Sequence, residues 1–554
     1  MVQYGTDADG RRATAEERYT ELSIKRDAYL REARACAELT IPRLIPPEGV
    51  DQGEELVTCA QSDGAKCVNG LATKITLGSV PPNIPIVRFE TDEILEGDLD
   101  AQVDDPETKS QLDKVARESR KNLDRVSRET LKATAIYGHR SKIYEGTKHL
   151  VCGGSVLYWF LDDKKNYGKI RTIPLSRHAV LRDSLGFPLE IIIRDGLSAA
   201  NLPPRLKAIL NSTKTQEELL REASKVKTDA VTTTNYAIYT YACWDPEIEK
   251  YRFHQEFQST VVDGSEALYT IDNFPLVALR FNSSDGEDYG RGHVEEHRGV
   301  LMAIEALAQA ETAKAIAISE HRLLVGAGST ARARDIMNSP IGAPLDAEPG
   351  SIAPLEHGQS GGLADIRESK RGLQRELGIA FLDNMAVQRD AERVTAEEFR
   401  TLTLALDLTL GGLHAALAAE FLPQYARFLL RILKNDGRIT AEQLKALDGE
   451  GIQPRLVTGL DALGRNYEAQ QFFEAQKVIS DLVTPAEYAK RVNVDALADK
   501  VNGYYGIETK GIYKTEAQLA AQAAAAQQAA ENEAAVGPMI AGASQIAASQ
   551  QRAA

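Results

Sequence analysis

Cysteine is scarce in this sequence: five in 554 residues, Cys36, Cys59, Cys67, Cys152 and Cys243, with no CxxC pair. An odd, scattered set in a long chain argues against a disulfide framework and reads as buried thiols. Long apolar runs are missing too. No stretch approaches the ~20 residues needed to span a bilayer, and the opening MVQYGTDADGRR lacks a signal-peptide core. The expectation is a protein made and kept in the cytosol. Positive charge is in deficit, since 65 Lys and Arg against 80 Asp and Glu leave −15. That sign argues against tight binding to phosphate backbones as the main task and restricts any DNA contact to something local or weak. Aromatics make up only 6%, which together with Ala-rich stretches points to packing by small side chains. What remains is the composition of a folded, soluble chain of about three or four domains.

Organisation follows from periodicity and punctuation. Thr14 and Glu17 are spaced as a capping box at the start of a helix over 14–40, which Pro42, Pro46 and Pro47 stop. Further helices are expected over 65–77, ending at Pro81-Pro82, and over 109–136. From Val151 the texture turns β-branched and aromatic. Strands are expected at 155–161, 179–182, 189–194, 235–244, 251–257 and 275–281, with turns at Ser184 to Gly186, Asp245-Pro246 and Asp263-Gly264.

After Gly292 a long helix is expected, with Val300, Ile304, Leu307, Ala315 and Ile318 as its apolar stripe and alanines on its other faces. Gly326 to Gly362 reads as loop with short elements, followed by a charged helix over 365–385. Thr395 and Glu398 again have capping-box spacing and open a long apolar helix that runs past Gly411-Gly412 and Pro423. Leu402, Leu404, Leu406, Leu408 and Leu410 alternate as in a strand, but the cap and the helical spacing of Leu413, Leu417 and Phe421 favour helix. Residues 517–554 are an Ala/Gln-rich tail. The fold class expected is α+β, mainly helical.

Few motifs carry chemistry. His293-Val294-Glu295-Glu296-His297 matches H-x-x-E-H, in which two histidines one turn apart hold zinc and the Glu activates water. A zinc-dependent hydrolase on His293, Glu296 and His297 is therefore the enzymatic alternative, against a pattern of polar types that arises readily at a solvated helix start. Gly358-Gln359-Ser360-Gly361-Gly362 matches G-x-S-x-G, but no α/β alternation leads up to it. Gly326-Ala327-Gly328-Ser329-Thr330 lacks the Lys of a P-loop, so no ATPase is expected. Gln388-Arg389-Asp390-Ala391-Glu392-Arg393 mixes both signs in a short link between helices, as solvated turns do.

Six segments in series carry a family resemblance: Arg26 to Pro46 (RDAYLREARACAELTIPRLIP), Gly64 to Pro82 (GAKCVNGLATKITLGSVPP), Val180 to Arg194 with its RDSLG turn, Asp285 to Gly292 (DGEDYGRG), Asn384 to Glu398 (NMAVQRDAERVTAEE) and Val457 to Arg465 (VTGLDALGR). In order and spacing they resemble the portal, or head-to-tail connector, proteins of short-tailed bacteriophages. The resemblance implies a non-enzymatic, cofactor-free subunit of a dodecameric ring at one capsid vertex of the virion, assembled in the host cytoplasm, with an axial channel for double-stranded DNA. It implies a wing at 1–290 (sheet-rich over 151–285), a first stem helix at 291–324, a clip at 325–364 and a second stem helix at 365–387. A tunnel loop at 388–394, a long wing helix region at 395–449, a crown at 450–516 and the tail at 517–554 complete it. Gln388, Arg389, Asp390, Glu392 and Arg393 would then face the DNA. The implied partners are other copies of the chain, the major capsid and scaffolding proteins, the terminase large subunit, the tail adaptor or tail tube and internal core proteins, with no membrane. A general oligomeric scaffold or adaptor without DNA passage is the third alternative.

Overall fold

The computed structural model describes most of residues 13–91, 122–213 and 235–319, parts of 323–354, residues 361–382 and 420–439, and the strand at 452–456. The chain divides into two units, Met1–Leu460 and Asp461–Ala554, and every described residue belongs to the first. In α1 (Ala15–Glu38) the capping box is formed: Glu17 N donates to Thr14 Oγ1 at 3.3 Å and Thr14 N to Glu17 Oε2 at 3.0 Å. A further N–H at the helix start, that of Ala15, donates to Glu256 Oε2 at 2.6 Å, so a distant carboxylate anchors the helix to the sheet. Pro42 opens the short 3-10 turn that follows.

The second helix, α2 (Asp63–Ser79), overlaps its expected span, and β1 (Val87–Thr91) follows it. Residues 125–136 form α3, while 109–121 of that expected helix lie outside the described residues. The next helix, α4 (His139–Gly153), was not expected, because its glycines and β-branched residues disfavour helix. Packing overrides propensity there: a Cβ at Gly146 would lie 2.1 Å from Tyr158 Oη, so the glycine lets the helix rest on a buried tyrosine.

All six runs read as strands are strands. They are β2 (Ser155–Phe160), β4 (His178–Arg182), β5 (Pro188–Ser198), β6 (Asn235–Asp245), β7 (Lys250–Phe257) and β10 (Leu276–Arg280). β3 (Ile170–Pro174), α5 (Pro204–Thr213), β8 (Thr260–Val261) and β9 (Ala267–Tyr269) were not anticipated. One sheet has the order β4-β5-β6-β7-β8, with β9 also on β7, and a smaller one the order β10-β2-β3, all antiparallel.

Beyond the sheets come α6 (His293–Glu296) and α7 (Arg298–Ser319), then β11 (Leu323–Val325), α8 (Ala333–Asn338), β12 (Ile352–Pro354) and α9 (Gly361–Ala380). The expected single long helix is thus broken at His297, and Leu323–Val325 is a strand paired with Ile352–Pro354. The second helix starts four residues earlier than expected and stops at Ala380, where Leu382 adopts a left-handed φ of 59°. Of the expected helix from Thr395, residues up to 419 lie outside the described set. Helix α10 (Leu422–Asn435) takes in Pro423, in its first turn. It packs on β2 through Phe428 stacked on Phe160 at 4.6 Å. β13 (Ile452–Leu456) pairs with β1.

The main core joins α1, α2, α4, the β10-β2-β3 sheet and α10. Within it His139 bridges Tyr425 Oη (2.9 Å) and the Gly168 carbonyl (2.6 Å), and Tyr425 Oη reaches Thr134 Oγ1 at 3.1 Å. Cys36, Cys152 and Cys243 are buried, as expected of thiols in a core, whereas Cys59 and Cys67 are only half-buried. Burial pushes Cys36 and Cys152 up to about 12, which keeps both protonated and unreactive.

Candidate functional site

The helices α7 and α9 run antiparallel: His293, just before α7, meets Ala380 at one end, and Glu311 meets Arg367 and Lys370 towards the other. The inner end of this pair is built by four of the six segments that carry the family resemblance; Asn384 to Glu398 and Val457 to Arg465 lie outside the described residues. Tyr289 of DGEDYGRG is buried and its hydroxyl accepts from Val180 N at 2.9 Å, while Asp288 Oδ1 accepts from Arg182 N at 2.8 Å. The RDSLG turn is closed by Asp183 Oδ1, which accepts from the N–H groups of Leu185 and Phe187. Arg182 donates to the carbonyls of Asp288, Gly186 and Ala278, which ties that turn, β10 and the DGEDYGRG loop together. Burial and the neighbouring Arg280 lower the Arg182 guanidinium to about 10, still charged at neutral pH.

Two glycine backbones cross at this knot. Gly154 has φ +74°, and a Cβ there would lie 2.3 Å from the Gly290 carbonyl oxygen, so only glycine fits. The RDAYLREA segment joins in through Tyr29, whose ring lies 5.4 Å from that of Tyr289, and through Glu32, which pairs with Arg298 at the start of α7. The segment around Gly64 to Pro82 braces both helices. Glu305 on α7 accepts from Ala60 N (2.9 Å) and Gln61 N (3.2 Å), Asp63 accepts from Gln374 on α9 (2.6 Å), and Lys74 donates to the Leu382 carbonyl. Backbone donors hold the Glu305 carboxyl below the usual range even though partial burial works against them.

Buried positions on α7 are Leu301, Ile304 and Ala308. Of the expected stripe of Val300, Ile304, Leu307, Ala315 and Ile318, Ile304 is buried, Val300 and Leu307 are half-buried, Ala315 is exposed and the Ile318 side chain lies outside the described set, so the seam is shifted by one residue on either side of Ile304. Farther out the pair is open. Ala310 and Ala313 face solvent, Ile316 is 54% exposed, and Glu311 is held by Arg367 (2.8 Å) and Lys370 (3.1 Å). Sequence reasoning missed Glu305 and Glu311 as braces. Their signal was a lone carboxylate in an alanine-rich helix, which needs a partner.

Of the sequence-predicted site residues, Gln388, Arg389, Asp390, Glu392 and Arg393 lie outside the described residues, as do residues 358–360 of the G-x-S-x-G pattern and 327–330 of the glycine-rich one. His293, Glu296 and His297 are brought together, with one donor atom from each lying within 4.8 Å of the others. His297 is lowered by burial and by the adjacent His293. No described helix is long and apolar enough to cross a membrane.

The interlocked segments are those of one family. Residues 12–513 match the model of the bacteriophage head to tail connecting protein, and the chain belongs to that family. The family is structural, not one of hydrolases. Among individual relatives, the portal protein of Enterobacteria phage T3 is 29% identical over 523 residues, covering 93% of this chain and 90% of its own length. The portal protein of Escherichia phage T7 is 26% identical over 505 residues, with 90% and 88% covered. A chain from the neck of an empty gene transfer agent particle is 14% identical with a TM-score of 0.31, covering 77% of this chain and 89% of that one.

Proposed function

We propose that copies of this chain pack side by side around an axis into a closed dodecameric ring at one capsid vertex, and so perform the portal role for which the T3 and T7 relatives are named. The observation that carries this reading is the open outer part of the α7–α9 pair. Small side chains let helices from neighbouring copies approach closely, and a head-to-tail contact repeated by rotation closes a ring. Ring closure creates the channel. Double-stranded DNA enters through it during packaging and leaves during ejection.

In this reading 1–290 and 395–449 form the wing, 291–324 and 365–387 the stem, 325–364 the clip, 450–516 the crown, and 517–554 a tail above it. The clip docks the terminase large subunit first and the tail adaptor later, while the wing meets capsid and scaffolding proteins. Gln388, Arg389, Asp390, Glu392 and Arg393 line the channel. A net charge of −15 per copy, repeated around the ring, repels the duplex, and alternating signs near 390 give only transient phosphate contacts, which suits passage over trapping.

Electron-microscope class averages of the purified chain test the ring: rotationally symmetric particles with a central hole are expected, and solitary chains overturn the reading. For the loop, the Arg389→Glu, Arg393→Glu double variant should still form rings but package or retain less DNA in particles. Unchanged packaging removes these arginines from the channel wall.

A further inference from the structure

We propose that His293, Glu296 and His297 bind one divalent transition-metal ion of the zinc type, which fixes the turn between α6 and α7. The segment is arranged as a ligand set. α6 ends at Glu296, and His297 (φ −106°, ψ 11°) turns the chain before α7, which brings its ring to 4.8 Å from that of His293 at 72°. His293 Nε2 lies 3.0 Å from the Ala380 carbonyl oxygen, an acceptor only, so Nε2 carries a proton, and in the neutral ring that ligates metals Nδ1 offers the lone pair. A bond from the far ring nitrogen to a backbone carbonyl is the outer support that orients metal-binding histidines. Nδ1 in turn sits 3.5 Å from Glu296 Oε2.

The carboxylate has a support of its own, because Glu296 Oε1 accepts from Asn282 Nδ2 at 2.6 Å, leaving Oε2 for the ion. Phe381 backs both imidazoles, with ring centroids at 4.7 Å from His293 and 5.6 Å from His297. The Glu296 side chain is half exposed and opens the site to solvent. Tetrahedral coordination at about 2.0–2.1 Å places donor atoms about 3.3 Å apart. The 4.8 Å cluster therefore contracts by about 1.5 Å on loading, a movement open to the exposed Glu296 and to the His297 ring. Two imidazole nitrogens and one carboxylate oxygen, with water in fourth place, suit Zn2+; Mg2+ prefers oxygen donors throughout. The role that follows is structural: the ion fixes the turn between α6 and α7, while the His293 hydrogen bond to the Ala380 carbonyl keeps that turn against the end of α9.

The test uses the untagged full-length chain, stripped with a chelator and titrated calorimetrically with Zn2+, with Mg2+ as control. One Zn2+ per chain is expected at micromolar affinity or tighter, with no heat from Mg2+, and Co2+ should give the visible absorption of a low-coordinate nitrogen–oxygen site. Glu296→Gln and His297→Gln should each weaken Zn2+ binding at least tenfold, and Asn282→Ala by a smaller factor, with circular dichroism unchanged. No Zn2+ uptake by the parent chain overturns the proposal. Uptake that survives both Glu296→Gln and His297→Gln overturns it equally, because the ion then sits elsewhere. The reading applies to a single chain and does not rest on ring formation.

Discussion

Along α7, Leu301, Ile304 and Ala308 are buried, whereas from Gln309 to Ile316 no side chain is; along α9 the first buried positions are Leu377 and Gly378, with Phe381 buried just past its end. The inner part of the pair is therefore finished within one chain. Glu32, Ala60, Gln61, Asp63 and Lys74 reach it from segments far apart in sequence. The outer part has one carboxylate shared by two cations and a surface of alanine and Ile316. Burying apolar area contributes roughly 25 cal/mol per Å2, and only the inner part collects that contribution alone. The difference teaches where the molecule is self-sufficient and where it is made for neighbours.

Changes on the inner side should hurt folding most. Gly154→Val sets a branched side chain at a left-handed φ and against the Gly290 carbonyl, so it should cost more than about 4 kcal/mol and yield insoluble protein, as read from the soluble fraction on expression. Leu301→Ala should cost about 2–5 kcal/mol, seen as a lower thermal midpoint; an unchanged midpoint would mean that the inner seam is not a core.

Acid should attack the buried histidines of the neighbouring core. Burial lowers His139 and His149 to about 4 and His178 to about 3, from 6.5. The unfolded chain binds these protons near pH 6.5 and the folded chain only near pH 3–4. The stability they contribute is complete above about 6.5 and is lost as pH falls through 6.5 to below 4, up to about 3 kcal/mol for His139 alone. Thermal midpoints between pH 7 and 4 should fall less steeply in His139→Gln than in the parent, although that variant starts lower. Smallest of all for folding is Ala310→Glu: it should shift the monomer's midpoint by less than about 0.5 kcal/mol equivalent yet prevent assembly in sedimentation. A variant that assembles normally would show that this face stays in water.

Local chemistry made much of the fold legible. Thr14 and Glu17 announce α1 because a cap is decided by neighbouring residues, and the strands of the large sheet announce themselves by β-branched and aromatic runs. What could not be read was imposed from a distance. The helix α4 exists because Gly146 meets Tyr158, the break at His297 interrupts an otherwise helical pattern, and the buried seam shifts because α2 and α9 approach from a side that sequence periodicity does not specify. The candidate site divides likewise. The H-x-x-E-H spacing is visible in the sequence, but Asn282 and Ala380, which orient its side chains, are 14 and 87 residues from their partners.

Amide hydrogen exchange of residues 309–319 and 361–370, in assembled particles and in the Ala310→Glu chain held as a monomer, reaches the central claim most directly. Neighbouring copies should slow exchange in these outer segments strongly while residues 298–308 exchange alike in both states, since opening free energy follows local burial. Equal protection of the outer segments in particle and monomer would contradict the account, because the pair would then need no neighbours.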